Sequence, residues 1–190
     1  MNYYELNSKE YIETTINANM QFQYDFFLKH ISKSGLLLDI GFGSGRDMIY
    51  FNKLGYEVEG IDCTQAFVDN MKSKGYIVYN QSVEELNVTN KYDYIWACAS
   101  LLHVSRIHLN DVFKRCSASL KEKGIMYCSF KYGDFEGDID SRFFNYINEE
   151  LLNEYLKDTN LHIIDICITG DSLSNRDIRW MNVVLRKLGE

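Results

Sequence analysis

The run Leu36-Leu37-Leu38-Asp39-Ile40-Gly41-Phe42-Gly43-Ser44-Gly45-Arg46-Asp47 constrains this chain more than any other stretch. An apolar strand enters a turn with alternate glycines, and the turn opens a helix. Such a turn lets the backbone take positive φ angles and approach a ligand closely. The helix behind it points free N–H groups at whatever binds there. Further on, Glu57-Val58-Glu59-Gly60-Ile61-Asp62 ends a second strand on an acid, placed to accept hydrogen bonds from a ribose diol. In this order the elements predict a nucleoside site at the first βα turn of an open sheet.

The glycine spacing narrows the ligand. A dinucleotide fingerprint reads G-x-G-x-x-G, and its third glycine lets helix and strand close around a pyrophosphate. Here Gly41, Gly43 and Gly45 alternate, and Arg46 holds the third fingerprint position. A dinucleotide oxidoreductase is therefore disfavoured. With Asp39 ahead of the glycines and Asp62 beyond them, the segment closely resembles motif I of the class I S-adenosylmethionine-dependent methyltransferases. The resemblance covers nearly the whole chain. Tyr3-Tyr4, Tyr11 and Thr14-Thr15 look like the N-terminal lid helix of small members. The stretch from Tyr92 to Val104 looks like their fourth strand and the loop after it. Leu120 to Tyr127 stands where such enzymes usually carry Lys-Pro-Gly-Gly, but this chain has no proline. Phe42 also departs from the pattern, where a small residue is commoner.

The resemblance implies S-adenosylmethionine as cofactor and assigns roles by position. Asp39 would orient the turn and the methionine ammonium, with Gly41, Phe42, Gly43 and Gly45 forming the turn. Asp62 would hold the ribose hydroxyls. Cys63 and Thr64 would flank the adenine, and Ser82 and Val83 would meet its edge and face. Ala99 falls where the fourth strand ends, beside the sulfonium. Tyr4 and Tyr11 would close over the methionine end. Plain alternatives stand beside several of these: a cap at Thr64, a turn at Ser82-Val83, ordinary helix packing for the tyrosines. Arg46 opposes the dipole at its helix N-terminus and invites an anion, either the methionine carboxylate or Asp47.

Methyl transfer from an activated donor needs positioning and desolvation first, and a base only when the acceptor is protonated. His103 is the best-placed base; the alternative is a packed imidazole bonded to backbone. His30, His108 and His162 read as structural. The insertion from 131 to 147 is where small-molecule methyltransferases build a substrate lid, and its Tyr132, Arg142 and Tyr146 are candidate acceptor contacts. Trp180 and Arg176, between or beside the last two strands, are further candidates. Arg142 and Arg176 could bind an anionic acceptor group or equally pair with a neighbouring acid, and the acids of the insertion could accept an amine. Cys98 reads as a small core residue.

Periodicity and turn signals predict one N-terminal helix over 8–31, capped by Asn7 or Ser8. Strands are expected at 36–40, 56–61, 76–79, 94–99, 125–130, 161–169 and 178–187. Helices are expected at 46–54, 64–74 (capped by Thr64), 105–120 and 148–159, with a short turn or helix at 82–86. This is an α/β pattern. It predicts one Rossmann-like domain over 1–190, with a seven-stranded, mostly parallel sheet, an antiparallel last strand and helices on both faces.

Composition bounds the partners. The 190 residues carry a net charge of −7, which gives no general attraction for phosphate backbones. A nucleic-acid partner is disfavoured, and the cations Lys114, Arg115, Lys121 and Lys123 read as a solvated helix face. Five scattered cysteines with no paired spacing indicate reduced thiols and no zinc site. No apolar run approaches membrane-spanning length, and no leader pattern is visible, so a cytoplasmic enzyme is expected. The absence of Asn/Asp-Pro-Pro-Tyr/Phe and Pro-Cys sequences argues against the common DNA and glutamine methylations. The expected activity is methyl transfer to oxygen or nitrogen of a small-molecule acceptor. The alternatives are a tRNA or other macromolecular methyltransferase needing a partner, and a non-catalytic cofactor-binding protein.

Overall fold

A computed structural model describes residues 3–171 and 178–189. Its centre is a seven-stranded sheet. The strands are β1 (Leu36–Ile40), β2 (Glu57–Asp62), β3 (Ile77–Asn80), β4 (Tyr92–Ala97), β5 (Leu120–Lys131), β8 (Leu161–Gly170) and β9 (Arg179–Lys187). They lie in the order β3-β2-β1-β4-β5-β9-β8. The pairs from β3 to β5 are parallel, and β9 runs antiparallel to both β5 and β8. This is the expected Rossmann-like arrangement. Strand order reverses between β1 and β4, the place where ligands enter open α/β sheets.

Neighbouring residues of one strand face opposite sides of the sheet, and two cores result. Leu38, Ile95 and Met126 pack under helices α5 (Arg106–Ser119) and α6 (Glu149–Tyr155). Leu37, Trp96 and Tyr127 pack with residues of α2 (Gln21–Leu28), α3 (Arg46–Lys53) and α4 (Gln65–Ser73) on the other side. Both layers are needed, because a parallel sheet is apolar on both faces.

Three local expectations are corrected. The single helix over 8–31 is two, α1 (Tyr3–Thr15) and α2. Asn19 ends the run by accepting the Gln21 N–H at 3.0 Å, an Asn side chain competing with helical bonding. Neither Asn7 nor Ser8 caps α1: Asn7 lies inside it, kinked at φ −118° with its amide on the Tyr3 carbonyl at 2.8 Å. Thr64 occupies the first position before α4 but makes no side-chain capping bond to that helix. The Glu5 carboxylate instead accepts the Gln65 N–H at 2.5 Å, which ties α1 to the N-terminus of α4.

The segment over 131–147 is no open loop. It contains the hairpin β6 (Glu136–Ile139) and β7 (Arg142–Asn145). Asp140 and Ser141 turn it with φ of 50° and 61°, the positive pair that matches strand twist in a two-residue connection. The Arg106 guanidinium bonds the Asp134 carbonyl and reaches Asn145 Oδ1 at 3.3 Å, which fastens the hairpin to α5.

Candidate active site

Two cavities open at the carboxyl ends of the strands. The first, about 340 Å³, lies over β1 and β2. Its floor is the glycine turn. Gly41 has φ +69°, and a Cβ there would stand 2.5 Å from Ser100 Cβ; the turn closes only with glycine. Asp62 is buried at the cavity wall. Its oxygens accept the Gly43 N–H at 3.0 Å and the Thr64 N–H at 2.8 Å. Burial raises its pKa, and these N–H groups oppose the rise. The carboxylate thus splints the turn and keeps unused lone pairs for a ligand.

Asp39 Oδ2 and Ser100 Oγ are buried and have no hydrogen-bond partner. Burial, joined by the charge of Asp47, pushes the Asp39 carboxyl well above its usual range. Orphaned polar atoms are rare in folded proteins, and here both sit around the one turn. Of the two, Ser100 lines the cavity and fits a ligand that brings its own donor.

Among the expected cofactor contacts, Tyr11, Gly41, Gly43, Asp62, Cys63, Ser82, Val83 and Ala99 line this first cavity. Ser82 also caps the one-turn helix Val83–Glu85 in a capping box, so the turn reading holds there too. Phe42 and Gly45 do not reach the cavity. The Phe42 ring packs over Gly60, and a Cβ on Gly45 would overlap the Met71 sulfur. Both residues shape the turn from behind, which is why a bulky side chain is accommodated at 42. Asp39 does not line the cavity either.

Arg46 pairs with Asp47. Its Nε and Nη2 meet the Asp47 carboxylate at 2.6 and 2.9 Å. Tyr24 Oη and Trp96 Nε1 complete that carboxylate at 2.5 and 2.9 Å. Burial pushes the Asp47 carboxyl up, but the Arg46 charge and the donors outweigh it and hold it below its usual range. A carboxylate so surrounded is a buried ion pair with its lone pairs used.

The second cavity, about 310 Å³, lies beside the first over β4, β5 and β9. Tyr4, Tyr11, Ala99, His103 and Arg142 line both. His103 sits in a one-turn helix after β4. Its Nδ1 is 2.6 Å from the Phe143 carbonyl and its Nε2 is 2.8 Å from the Tyr4 hydroxyl. A carbonyl only accepts, so Nδ1 carries the proton and Nε2 accepts from Tyr4. Burial lowers the His103 pKa; the Phe143 carbonyl opposes this, and Arg142 and Lys131 add to it. A neutral imidazole with a basic Nε2 results. One ring nitrogen is thus held by backbone and the other by the Tyr4 hydroxyl at the cavity wall.

Trp180 lines the second cavity as expected. Tyr132 and Tyr146 do not. Tyr132 bonds Glu149 at 2.9 Å under the Arg179 guanidinium, and Tyr146 packs on Phe135. Arg176 lies outside the described residues. Cys98 borders the second cavity, its thiol pushed up to about 12 by burial and the Asp47 charge. Sequence reasoning missed Ser129 and Asn182 in this wall. Ser129 Oγ accepts the Ala99 N–H at 2.9 Å, and Asn182 accepts the Tyr127 hydroxyl at 2.7 Å. Their signal was a polar residue inside an apolar strand, Cys128-Ser129-Phe130 and Met181-Asn182-Val183. Outside the cavities, His30 pairs with Asp165, His108 with Glu84, and Lys121 with Asp93. Among the described residues, no helix is long and apolar enough to cross a membrane.

Comparison with known proteins agrees with this geometry. Residues 37–124 match the family model described as a methyltransferase domain. The chain is 27% identical over 127 residues to the phosphoethanolamine N-methyltransferase of Plasmodium falciparum, covering 63% of this chain and 47% of that protein. It is 30% identical over 99 residues to the ubiquinone biosynthesis O-methyltransferase of Bradyrhizobium diazoefficiens, covering 49% of this chain and 38% of that one. The chain thus spans less than half the length of these curated relatives. Among solved structures, it resembles the Burkholderia thailandensis 1,6-didemethyltoxoflavin-N1-methyltransferase, bound to 1,6-didemethyltoxoflavin and S-adenosylhomocysteine. The TM-score is 0.78 at 19% identity, over 98% of this chain and 84% of that one. At that identity the likeness shows the fold.

Proposed function

We propose that this chain, whose residues 37–124 match the methyltransferase-domain family model, binds S-adenosylmethionine in the first cavity and methylates an oxygen or nitrogen of a small molecule held in the second. The observation that carries the reading is the wall shared by the two cavities, where Tyr4, Ala99, His103 and Arg142 face both. The named activities of the relatives, phosphoethanolamine N-methylation and an O-methylation in ubiquinone biosynthesis, support a small acceptor and differ in the atom methylated.

The residues fit the cofactor. Asp62 would accept the ribose hydroxyls, and Ser82 and Val83 would border the adenine. The orphaned Oγ of Ser100, a residue of the cavity lining, suits a ligand with its own donor. When bound, S-adenosylmethionine supplies an activated methyl group on a cationic sulfur. The chain's own part is to position, desolvate and deprotonate. Tyr4 and Tyr11 roof both cavities and exclude water. The Tyr4 hydroxyl takes the acceptor's proton as its own passes to His103 Nε2, the two atoms being 2.8 Å apart. The Phe143 carbonyl, 2.6 Å from Nδ1, then steadies the imidazolium.

Calorimetric titration with S-adenosylhomocysteine, with NADH as control, tests the cofactor. Micromolar binding of the former alone is expected; no binding overturns the reading. Transfer of labelled methyl to an added small acceptor separates an enzyme from a binding protein.

A further inference from the structure

The two cavities differ in charge, and the second is built around cations that face rings. Lys131 Nζ stands 3.8 Å from the centroid of the Phe144 ring and 5.3 Å from that of Tyr146. The Arg142 guanidinium lies 4.9 Å over Tyr3 and 5.2 Å over Phe144. Among the described residues no carboxylate pairs with Arg142, and its Nε is buried without a hydrogen-bond partner. Its side chain also bonds the Tyr4 hydroxyl, so it is fixed at the wall between the cavities. Arg46, the third cation of the lining, is already neutralised by Asp47. Among the described residues, Asp171 is the one acid of the lining, with Lys131 and Arg142 beside it. The first cavity is the reverse, with Asp62 and Glu84 against Arg142.

Arg142 lies over aromatic faces, which hold a cation without neutralising it. An orphaned guanidinium N–H gains most from an oxyanion, which takes charge-assisted bonds in Arg's planar fork. We infer that the acceptor of this protein carries an oxyanion, a phosphate or a carboxylate, held by Arg142 and Lys131 in the second cavity, with its nucleophilic atom turned toward Tyr4 and His103. The inference rests on the proposed function for the word acceptor, but the oxyanion site itself stands on the cavity.

The test follows the indole N–H resonance of Trp180, which lines this cavity, by NMR. Inorganic phosphate and acetate are titrated separately, each into free protein and into protein loaded with S-adenosylhomocysteine. At least one anion is expected to shift the resonance with a Kd below about 10 mM. Phosphate binding tighter than acetate assigns a phosphate-bearing acceptor, and the reverse assigns a carboxylate. Lys131→Gln and Arg142→Gln should each weaken binding by about ten-fold, the loss of one charge-assisted contact. The two lie on different elements, so misfolding of one variant leaves the other to decide. S-adenosylhomocysteine affinity in Lys131→Gln should stay within about two-fold, since that side chain borders only the second cavity. Failure of both anions to bind either form overturns the inference, as does binding that both variants leave unchanged. If S-adenosylhomocysteine fails to bind while the anions bind and the variants lose them, the proposed cofactor falls and the oxyanion site stands.

Discussion

The floor of the first cavity is a short run of backbone from neighbouring turns, whereas the second cavity is lined by side chains gathered from across the chain. Gly41, Gly43, Asp62, Cys63 and Thr64 come from two adjacent βα turns. The second takes Tyr4 and Met20 from the N-terminal helices and their link, Arg46 from α3, Lys131 from β5, Arg142 from β7 and Trp180 from β9. A site built from a turn can bind a fixed chemical motif, because φ angles and N–H directions hardly vary. A site built from distant side chains can be rebuilt for another acceptor without disturbing the fold. The difference separates what is common to a fold from what is particular to one chain.

That contrast can be broken most sharply at the wall between the cavities. His103→Gln should lower turnover by about 10²- to 10⁴-fold, the usual range for a general base, and leave S-adenosylhomocysteine affinity nearly intact by calorimetry. Equal losses in both would show that His103 serves the turn and not the proton. The pH profile sharpens this. Burial lowers the His103 pKa, and the working form is neutral. Activity should therefore fall as pH drops through a value below that of ordinary histidine, and hold steady above it. A loss of activity centred above pH 7 would contradict the assignment.

Asp62→Ala comes next. It removes the ribose acceptor and both N–H bonds that splint the turn, so cofactor affinity should fall by about 100-fold. Anion binding in the second cavity should persist. An affinity unchanged by this variant would remove Asp62 from the cofactor site. The smallest effect belongs to Tyr132→Phe. Tyr132 bonds the exposed Glu149 outside both cavities, so stability and turnover should change little, within about 0.5 kcal/mol. A large loss of turnover would extend the second cavity to the far side of the hairpin.

The same contrast explains what could be read from the chain alone. The apolar strands, the glycine turn and Asp62 were legible because each is a local signal, a few residues long, with one physical cause. The antiparallel edge was legible because no helix pattern separates the last two strands. The break between α1 and α2 was missed because loose apolar spacing continues through it, while Asn19 decides it locally. The hairpin was missed because Glu136 to Asn145 shows no hydrophobic alternation; its turn residues, Asp140 and Ser141, lack the glycine that usually marks such a turn. The bond between Tyr4 and His103 spans 99 residues, and no periodicity carries a contact of that range. Arg46 was legible as a cation in need of an anion, and the anion it meets, Asp47, is its neighbour in sequence.

The first helix, finally, sets how the protein reports on its own contents. No residue of α1 is buried. Glu5 on the Gln65 N–H, Tyr4 on His103 and Tyr11 against Gly43 hold it down. The two hydrogen bonds contribute about 1 kcal/mol each, and with the packing of Tyr4 and Tyr11 on Phe67 detaching the helix still costs less than opening the sheet. Anything seated in either cavity abuts Tyr4 or Tyr11 and adds to that small sum. The helix is therefore a gauge of occupancy, and the rate at which a protease cuts within residues 3–15 measures how full the protein is.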